Sequence, residues 1–271
     1  MLKWFILYFT HDKGVDMSIT NFEKVDSFCI IRLNDTKRKN VASEAMLKEL
    51  LSHLKEIEQS DEILGYIITG TEECFCAGAD IKESKNPQTF HEYLKLGKKV
   101  ISAILNSPKI SIAAVNGIAF GGGFELALAC DMICGSKEAV FALPEVKLGL
   151  FPGWGGTQTL SQRVGPGIAK EMILTGRQID YEEAYEIAIL DKQYETNKSL
   201  LNGCLTLLND IFQNCPQAVF QAKQLINLRY SLPFEKAVEK EFSTLIEWVG
   251  ETQAQEGMSA FLEKRKPEWN R

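Results

Sequence analysis

The chain has 271 residues, of which 45% are hydrophobic and 24% charged, and its formal net charge is −6. Such a composition supplies enough apolar side chains for a large core, so it excludes a disordered or fibrous protein. The 30 basic and 36 acidic residues include no dense basic stripe, which argues against nucleic acid as the main partner.

Strand-like and helical patterns alternate along the chain, which is typical of an α/β protein. The first 16 residues carry an apolar patch too short to span a membrane, and we predict that they form an N-terminal extension. The predicted strands are residues 27–33, 64–69, 110–115, 132–135 and 139–143, and the predicted helices among them are residues 43–58 and 89–105. From about residue 202 only helical runs follow, namely residues 200–214, 216–230 and 233–251.

Cysteine and histidine residues are few and scattered. The seven cysteines lack the density and even count of a secreted disulfide scaffold, so we predict reduced thiols and a cytoplasmic location. The three histidines are far apart, and Cys74 and Cys76, the closest cysteine pair, are separated by one residue. The sequence contains no zinc motif and predicts no metal site.

Two glycine-bearing loops, residues 75–82 and residues 116–123, occupy equivalent positions between a predicted strand and a helix. Glycine allows close approach of a ligand to the main chain, so two such loops side by side can direct two backbone N–H groups at one carbonyl oxygen. Ordinary strand-to-helix turns also use glycine, and for one loop alone that is the simpler interpretation. Two loops together with two carboxylates favour an oxyanion site.

Those carboxylates belong to Glu125 and Glu145, which we interpret as a general acid and base pair. Glu125 lies one turn into a helix that opens on three glycines, so its carboxylate is close to free backbone N–H groups. Glu145 follows Pro144. Taken singly, each glutamate has a simpler explanation, an acid favoured by the helix dipole for Glu125 and a surface residue for Glu145.

Three motif blocks carry a resemblance to a known family. They are residues 75–81 (FCAGADI), residues 114–127 and residues 144–157, which end in PGWGGT. In this order the blocks resemble the crotonase family, also called the enoyl-CoA hydratase/isomerase family, from about Ile19 to the C terminus. The resemblance implies a crotonase-like spiral of β-β-α turns over residues 17–200 that binds an acyl-CoA thioester. It also implies a C-terminal helical module, residues 201–271, that forms a homotrimer or a dimer of trimers.

The resemblance assigns expected roles to individual residues. The N–H groups of Ala79 and Gly122 form the expected oxyanion hole, Glu145 transfers the proton at the α-carbon, and Glu125 activates water. The other expected substrate-binding residues are Lys39, Ala77, Gly78, Asp80, Ile81, Lys82, Gly153 and Trp154. Ala77 is expected at the adenine, and Lys39 and Lys82 at the CoA phosphates. For Asp80 the alternative is that it caps the following helix.

In the hydratases of the family both carboxylate positions hold glutamate, whereas many isomerases keep only one. The resemblance therefore implies hydration of a 2-trans-enoyl-CoA to a 3-hydroxyacyl-CoA, with CoA as part of the substrate and no separate cofactor. Another branch activity, such as isomerisation or decarboxylation, and a non-catalytic binding protein are the alternatives. Leu143 and Trp154 depart from the usual hydratase pattern, which has glutamine and a small residue there. Both departures are expected to reshape the acyl pocket, and packing of Trp154 in the trimer core is the alternative.

Overall fold

The computed structural model describes residues 18–71, 74–82 and 86–269, so the predicted N-terminal extension of residues 1–16 lies outside the described residues. Within the described part, nine strands form two sheets, with nine α-helices around them. The strands are β1 Thr20–Val25, β2 Phe28–Leu33, β3 Gly65–Thr69, β4 Cys74–Cys76, β5 Ile110–Val115, β6 Ile118–Phe120, β7 Met132–Ser136, β8 Val140–Ala142 and β9 Lys192–Tyr194. The helices are α1 Glu44–Gln59, α2 Pro87–Leu105, α3 Gly122–Leu128, α4 Gly156–Thr175, α5 Tyr181–Glu186, α6 Asn197–Ile211, α7 Pro216–Leu228, α8 Phe234–Val249 and α9 Thr252–Leu262.

The strands alternate between the two sheets. The larger sheet has the order β1-β2-β3-β5-β7-β9, and the smaller sheet has the order β4-β6-β8. Only β1 and β2 pair antiparallel among these strands, while the other neighbours are parallel. From β3 to α4 the chain repeats one unit three times. Each unit consists of a strand of the larger sheet, a strand of the smaller sheet and a helix. The ends of β4, β6 and β8 therefore meet at one edge of the smaller sheet.

The four central strands of the larger sheet, β2, β3, β5 and β7, are buried on both faces. Successive side chains of β2 point to opposite faces, so Cys29 and Ile31 join the core shared with α1 and α2, whereas Phe28 and Ile30 pack with α6. Full burial of an aliphatic or aromatic side chain of this kind stabilises the fold by about 1.5–3 kcal/mol. The larger sheet is thereby a closely packed layer, and the smaller sheet shares a hydrophobic core with one of its faces.

The predicted strands and helices of the first 143 residues correspond to β2, β3, β5, β7, β8, α1 and α2. The three predicted C-terminal helical runs correspond to α6, α7 and α8. The interpretation of residues 75–76 and 118–120 as loop was wrong, because they belong to β4 and β6. Strands of three residues are too short for a period-two pattern to stand out. The predicted boundary after residue 200 falls within α6, and the division into core and module stays a prediction.

Candidate active site

The two glycine loops touch at the carboxyl ends of β4 and β6. Gly78 has a φ of 110°, and a β-carbon there would lie 2.9 Å from the Phe120 carbonyl oxygen. Gly121 has a φ of 50°, and a β-carbon there would lie 3.1 Å from Glu145 Oε1. Both positions therefore require glycine for their backbone conformation, and the second brings Glu145 against the loop.

The loops carry the two predicted oxyanion donors. Gly122 is the first residue of α3, so its N–H has no carbonyl acceptor within its own helix. Ala79 directly follows Gly78 in the adjoining loop. The structure thus brings the segments of Ala79 and Gly122 together, and their role toward a substrate stays a prediction.

Tyr93 on α2 fixes the loop that carries Ala79. Its buried hydroxyl accepts a hydrogen bond from the Asp80 N–H at 2.9 Å and donates one to the Ala42 carbonyl at 2.7 Å. Ala42 in turn donates its N–H to the Gly78 carbonyl at 2.9 Å. This closed set of bonds clamps the residues on either side of Ala79. No pattern in the sequence pointed to Tyr93 as a positioning residue.

Replacement of Tyr93 by phenylalanine is expected to lower kcat more than it changes KM. The variant keeps the ring but leaves the Asp80 N–H and the Ala42 carbonyl without their partner, so the Ala79 N–H loses its fixed direction. The free energy of unfolding should also fall, by about 1–3 kcal/mol. Steady-state kinetics with the enoyl-CoA substrate that the resemblance implies, together with urea unfolding, measure both effects. An unchanged kcat in a destabilised variant would show that the clamp is structural only.

Glu125 is buried at 3% exposure and is held by two backbone donors. Its Oε1 accepts hydrogen bonds from the N–H groups of Trp154 and Gly156, both at 2.8 Å. Burial raises the pKa of this carboxyl above its ordinary value, while these backbone donors oppose the rise. The backbone N–H groups of Gly153 and Gly155 lower this pKa as well.

Glu145 begins a one-turn 3₁₀ helix, Glu145–Leu148, directly after Pro144. Its Oε2 is buried and has no hydrogen-bond partner among the residues that the structure describes. Burial raises the pKa of Glu145 to about 7, its own backbone N–H lowers it, and the charge of Glu125 adds to the rise. This raised pKa favours the protonated form of Glu145 up to near-neutral pH, beside a second carboxyl group.

The raised pKa of Glu145 makes the stability of the protein depend on pH. Below about pH 4.5 the carboxyl is neutral in both the folded and the unfolded chain, so glutamate and glutamine are equivalent at this position. Between about pH 4.5 and 7 the unfolded chain releases the proton while the folded chain keeps it, which destabilises the parent. The melting temperature of Glu145→Gln relative to the parent should therefore rise across this range and level off above it.

Thermal unfolding from pH 4.5 to 8 measures this difference, with Glu58→Gln as the matched control on the exposed face of α1. The control should show no such rise. A melting-temperature difference for Glu145→Gln that stays constant with pH would contradict a raised pKa of Glu145 in the folded protein.

Four predicted CoA-binding residues lie on one stretch of surface. Lys39 and Lys82 are exposed, as is Ile81 at 63%, and the Ala77 N–H donates a hydrogen bond to the Lys39 carbonyl at 3.1 Å. The Lys39 segment and residues 77–82 are therefore neighbours. The ammonium groups of Lys39 and Lys82 on this surface are suited to binding phosphate groups.

The Asp80 side chain is buried, and its carboxylate is bonded to other groups of the protein. It forms an ion pair with Arg38 and accepts a hydrogen bond from the Lys82 N–H at 3.1 Å. The Asp80 side chain thus caps the 3₁₀ turn at residues 81–82, and it does not cap helix α2, which begins after Asn86, whose side chain accepts the Gln88 N–H. Asp80 instead orders its own loop. Sequence reasoning missed Arg38, which lies in the basic run of residues 37–39.

Gly153 and Trp154 lie between the carboxylates and a groove. Gly153 is exposed, whereas the Trp154 indole is 5% exposed and packs on the ring of Tyr93 with centroids 5.6 Å apart. A groove with a volume of about 970 Å³ is lined by both residues and by α2 and α7, but by neither glutamate. Within residues 18–71, 74–82 and 86–269, no group of three or more histidine, cysteine or acidic side chains could hold a metal ion.

The buried carboxyl of Glu125 and the half-buried carboxyl of Glu145, both of raised pKa, lie beside two touching glycine loops and define a site for acid–base chemistry in an α/β spiral. The enoyl-CoA hydratase/isomerase family model matches residues 23–271 of the chain. The short-chain-enoyl-CoA hydratase of Clostridium acetobutylicum is 39% identical over 249 residues, which are 91% of this chain and 95% of that protein.

Two further comparisons agree with this match. The crotonyl-CoA hydratase of Syntrophomonas wolfei is 34% identical over 247 residues, which are 90% of this chain and 95% of that protein. The crystal structure of an enoyl-CoA hydratase from Bacillus anthracis has a TM-score of 0.88 at 32% identity, covering 93% of this chain and 99% of that one. The chain belongs to the enoyl-CoA hydratase/isomerase family. The predicted family and the predicted crotonase-like α/β fold are confirmed.

Proposed function

We propose that the protein is an enoyl-CoA hydratase, which adds water reversibly across the 2-trans double bond of an acyl-CoA to give a 3-hydroxyacyl-CoA. The observation that carries this proposal is the pair of carboxyl groups, Glu125 buried and Glu145 half-buried, at the contact of the two glycine loops. Glu145 has a pKa of about 7, and Glu125 keeps one oxygen bonded to backbone N–H groups. The names of the two hydratase relatives support the same reaction.

The oxyanion hole supplies the electrostatic part of the mechanism. Attack of water at the β-carbon of a conjugated thioester moves negative charge onto the carbonyl oxygen. The N–H groups of Ala79 and Gly122 donate hydrogen bonds to that oxygen, and they are already fixed in direction before reaction. One such donor typically contributes about 3 kcal/mol to transition-state stabilisation.

The two glutamates supply the proton transfers. Glu125, as a carboxylate, removes a proton from water as the water oxygen bonds to the β-carbon. Glu145, in its neutral form, donates a proton to the α-carbon. After turnover Glu125 is neutral and Glu145 is ionised, so one proton must return from Glu125 to Glu145 before the next cycle. Two carboxyls in different protonation states suit this division of roles.

The rest of the substrate is recognised by the surface around residues 77–82. Lys39 and Lys82 bind the CoA phosphates, and Ala77 contacts the adenine. Gly78, Asp80 and Ile81 shape this loop, and Gly153 and Trp154 border the acyl group. CoA enters as part of the substrate, and the reaction requires no separate cofactor or metal.

We also propose that the C-terminal helices mediate assembly into a trimer or a dimer of trimers. Large apolar side chains on α8 and α9 are exposed in the single chain, among them Phe234, Phe242, Ile246 and Phe261. Such a surface is typical of an interface between subunits. The seven free thiols support a cytoplasmic location. No helix among the described residues is long and apolar enough to cross a membrane.

The decisive experiment is the absorbance of the conjugated enoyl thioester after the protein is added to crotonyl-CoA. Loss of absorbance together with formation of 3-hydroxybutyryl-CoA supports hydration. Retained absorbance despite binding of crotonyl-CoA would favour a non-catalytic binding protein. Absorbance that appears when a 3-enoyl-CoA is supplied, without hydration of crotonyl-CoA, would favour an isomerase.

A further inference from the structure

The Trp154 side chain fills the space behind the proposed oxyanion hole. Its ring passes between Gly97 on α2 and Gly122 at the start of α3, and a β-carbon at either glycine would overlap it. Its backbone N–H is bonded to Glu125 Oε1 at 2.8 Å. The indole therefore stands directly next to one predicted oxyanion donor and one predicted catalytic carboxylate.

Two empty spaces meet at this ring. The first, which we call the inner cavity, is bounded by Gly122 and by apolar side chains of α1, α2 and α3, including Met46, Leu50, Val100 and Leu126. Its volume of about 10 Å³ is roughly the room that one water molecule needs. The second, the outer groove, is the 970 Å³ groove between α2 and α7.

Trp154 and Ile101 are the two residues that line both the inner cavity and the outer groove. They form the wall between a space next to the oxyanion loop and a space large enough for several methylene groups. The indole N–H is buried and has no hydrogen-bond acceptor within the part of the chain that the structure describes. The ring is thus held by packing, and an aliphatic replacement would break no side-chain hydrogen bond.

We propose that Trp154 restricts the substrate to short acyl chains, an inference that rests on the proposed hydratase function. A thioester oxygen bonded to the Gly122 N–H places the α- and β-carbons beside the two glutamates. Carbons beyond the β-carbon then extend toward the indole, where the free volume fits about one methyl group. A crotonyl group satisfies this limit, and each further methylene has to displace the ring. A single misfitting methylene changes specificity by about 10- to 200-fold.

Because Trp154 forms part of this wall, a small side chain at position 154 is expected to remove the restriction on chain length. With a small side chain at position 154, the inner cavity and the outer groove become continuous, and a longer acyl chain passes from the oxyanion loop into the groove. The groove walls offer apolar contacts from Ile101, Leu105, Ile226 and Tyr230. Burial of additional methylene groups there favours the longer substrate.

The test compares kcat/KM for crotonyl-, hexenoyl- and decenoyl-CoA in the parent and in Trp154→Ala and Trp154→Leu. The parent should prefer crotonyl- to decenoyl-CoA by at least about 100-fold, and Trp154→Ala should reduce this ratio by at least about 10-fold. The matched control is Phe212→Leu, a buried aromatic residue that packs on Phe28 and Phe220 on the opposite face of the larger sheet. It should lower the melting temperature without changing the ratio.

Circular dichroism of each variant separates specificity from misfolding, and Trp154→Leu decides the question if Trp154→Ala does not fold. A parent that hydrates decenoyl-CoA as efficiently as crotonyl-CoA would overturn the proposal. An unchanged chain-length ratio in folded Trp154 variants would overturn it as well. Failure of the parent to hydrate any of the three thioesters would instead refute the hydratase function itself.

Discussion

Glu145→Gln is expected to lower kcat for hydration of crotonyl-CoA by about a thousandfold while the affinity for butyryl-CoA stays close to that of the parent. The amide keeps the size of the side chain and its place against Gly121, but it cannot transfer a proton to the α-carbon. Because Glu145 Oε2 has no hydrogen-bond partner among the described residues, no bond within this part of the protein is lost from that atom. The hydration assay and calorimetric titration with butyryl-CoA measure the two quantities.

The control for this variant is Glu58→Gln, which makes the same chemical change on an exposed face of α1. It should retain the parental kcat and affinity. Comparable hydration rates for Glu145→Gln and the parent would refute the role of Glu145 in the reaction. Equal loss of activity and of butyryl-CoA affinity would indicate a damaged binding site rather than a missing proton donor.

Glu125→Gln is expected to lower kcat by about 100- to 10,000-fold, because the water loses its general base. The glutamine carbonyl oxygen can still accept the N–H groups of Trp154 and Gly156 that now bond to Oε1. The variant should therefore keep the local backbone arrangement, and because burial raises the pKa of Glu125, its melting temperature at neutral pH should not fall below that of the parent. Hydration kinetics and thermal unfolding measure both expectations, and a parental kcat would contradict the assignment.

Isotope exchange separates the roles of the two carboxylates. Butyryl-CoA has α-protons but no double bond, so its α-proton exchange in D₂O requires a base at the α-carbon and the oxyanion hole, not water activation. We expect Glu125→Gln to retain this exchange and Glu145→Gln to lose it. The opposite pattern in mass spectra of the recovered thioester would reverse the two roles.

The elements that were predicted correctly from the sequence have long, clear apolar patterns. β3 and β5 are buried on both faces, so they appear as continuous runs rich in isoleucine, valine and alanine. Helix α1 has buried residues at helical spacing behind Ser43, whose side chain accepts the Met46 N–H. Burial and periodicity act locally in these segments, so a single sequence is enough to identify them.

Other elements gave no comparable signal. Helix α4 was not predicted because it contains Gly165, with a φ of 80°, followed by Pro166, and such a pair normally marks the end of a helix. Strands β4 and β6 have only three residues each, and parallel pairing with their neighbours defines them. Their formation depends on tertiary contacts rather than on local pattern.

The residues of the candidate site also divide into those with a local sequence signal and those without one. Glu125 and Glu145 were found because each lies in a motif with a local chemical meaning. The positioning contacts were missed because their partners are remote: Tyr93 bonds to the Ala42 carbonyl 51 positions away, and Arg38 pairs with Asp80 across 42 positions. Folding brings such partners together, and no single-sequence pattern connects them.

The central claim is that both carboxylates and both loop N–H groups meet at one thioester. A crystal structure of Glu145→Gln with bound crotonyl-CoA tests this claim most directly. We predict the thioester oxygen about 2.7–3.1 Å from the N–H nitrogens of Ala79 and Gly122, with the α-carbon at side chain 145 and the β-carbon facing Glu125. A thioester bound away from these N–H groups, or with either side chain turned from it, would contradict the account.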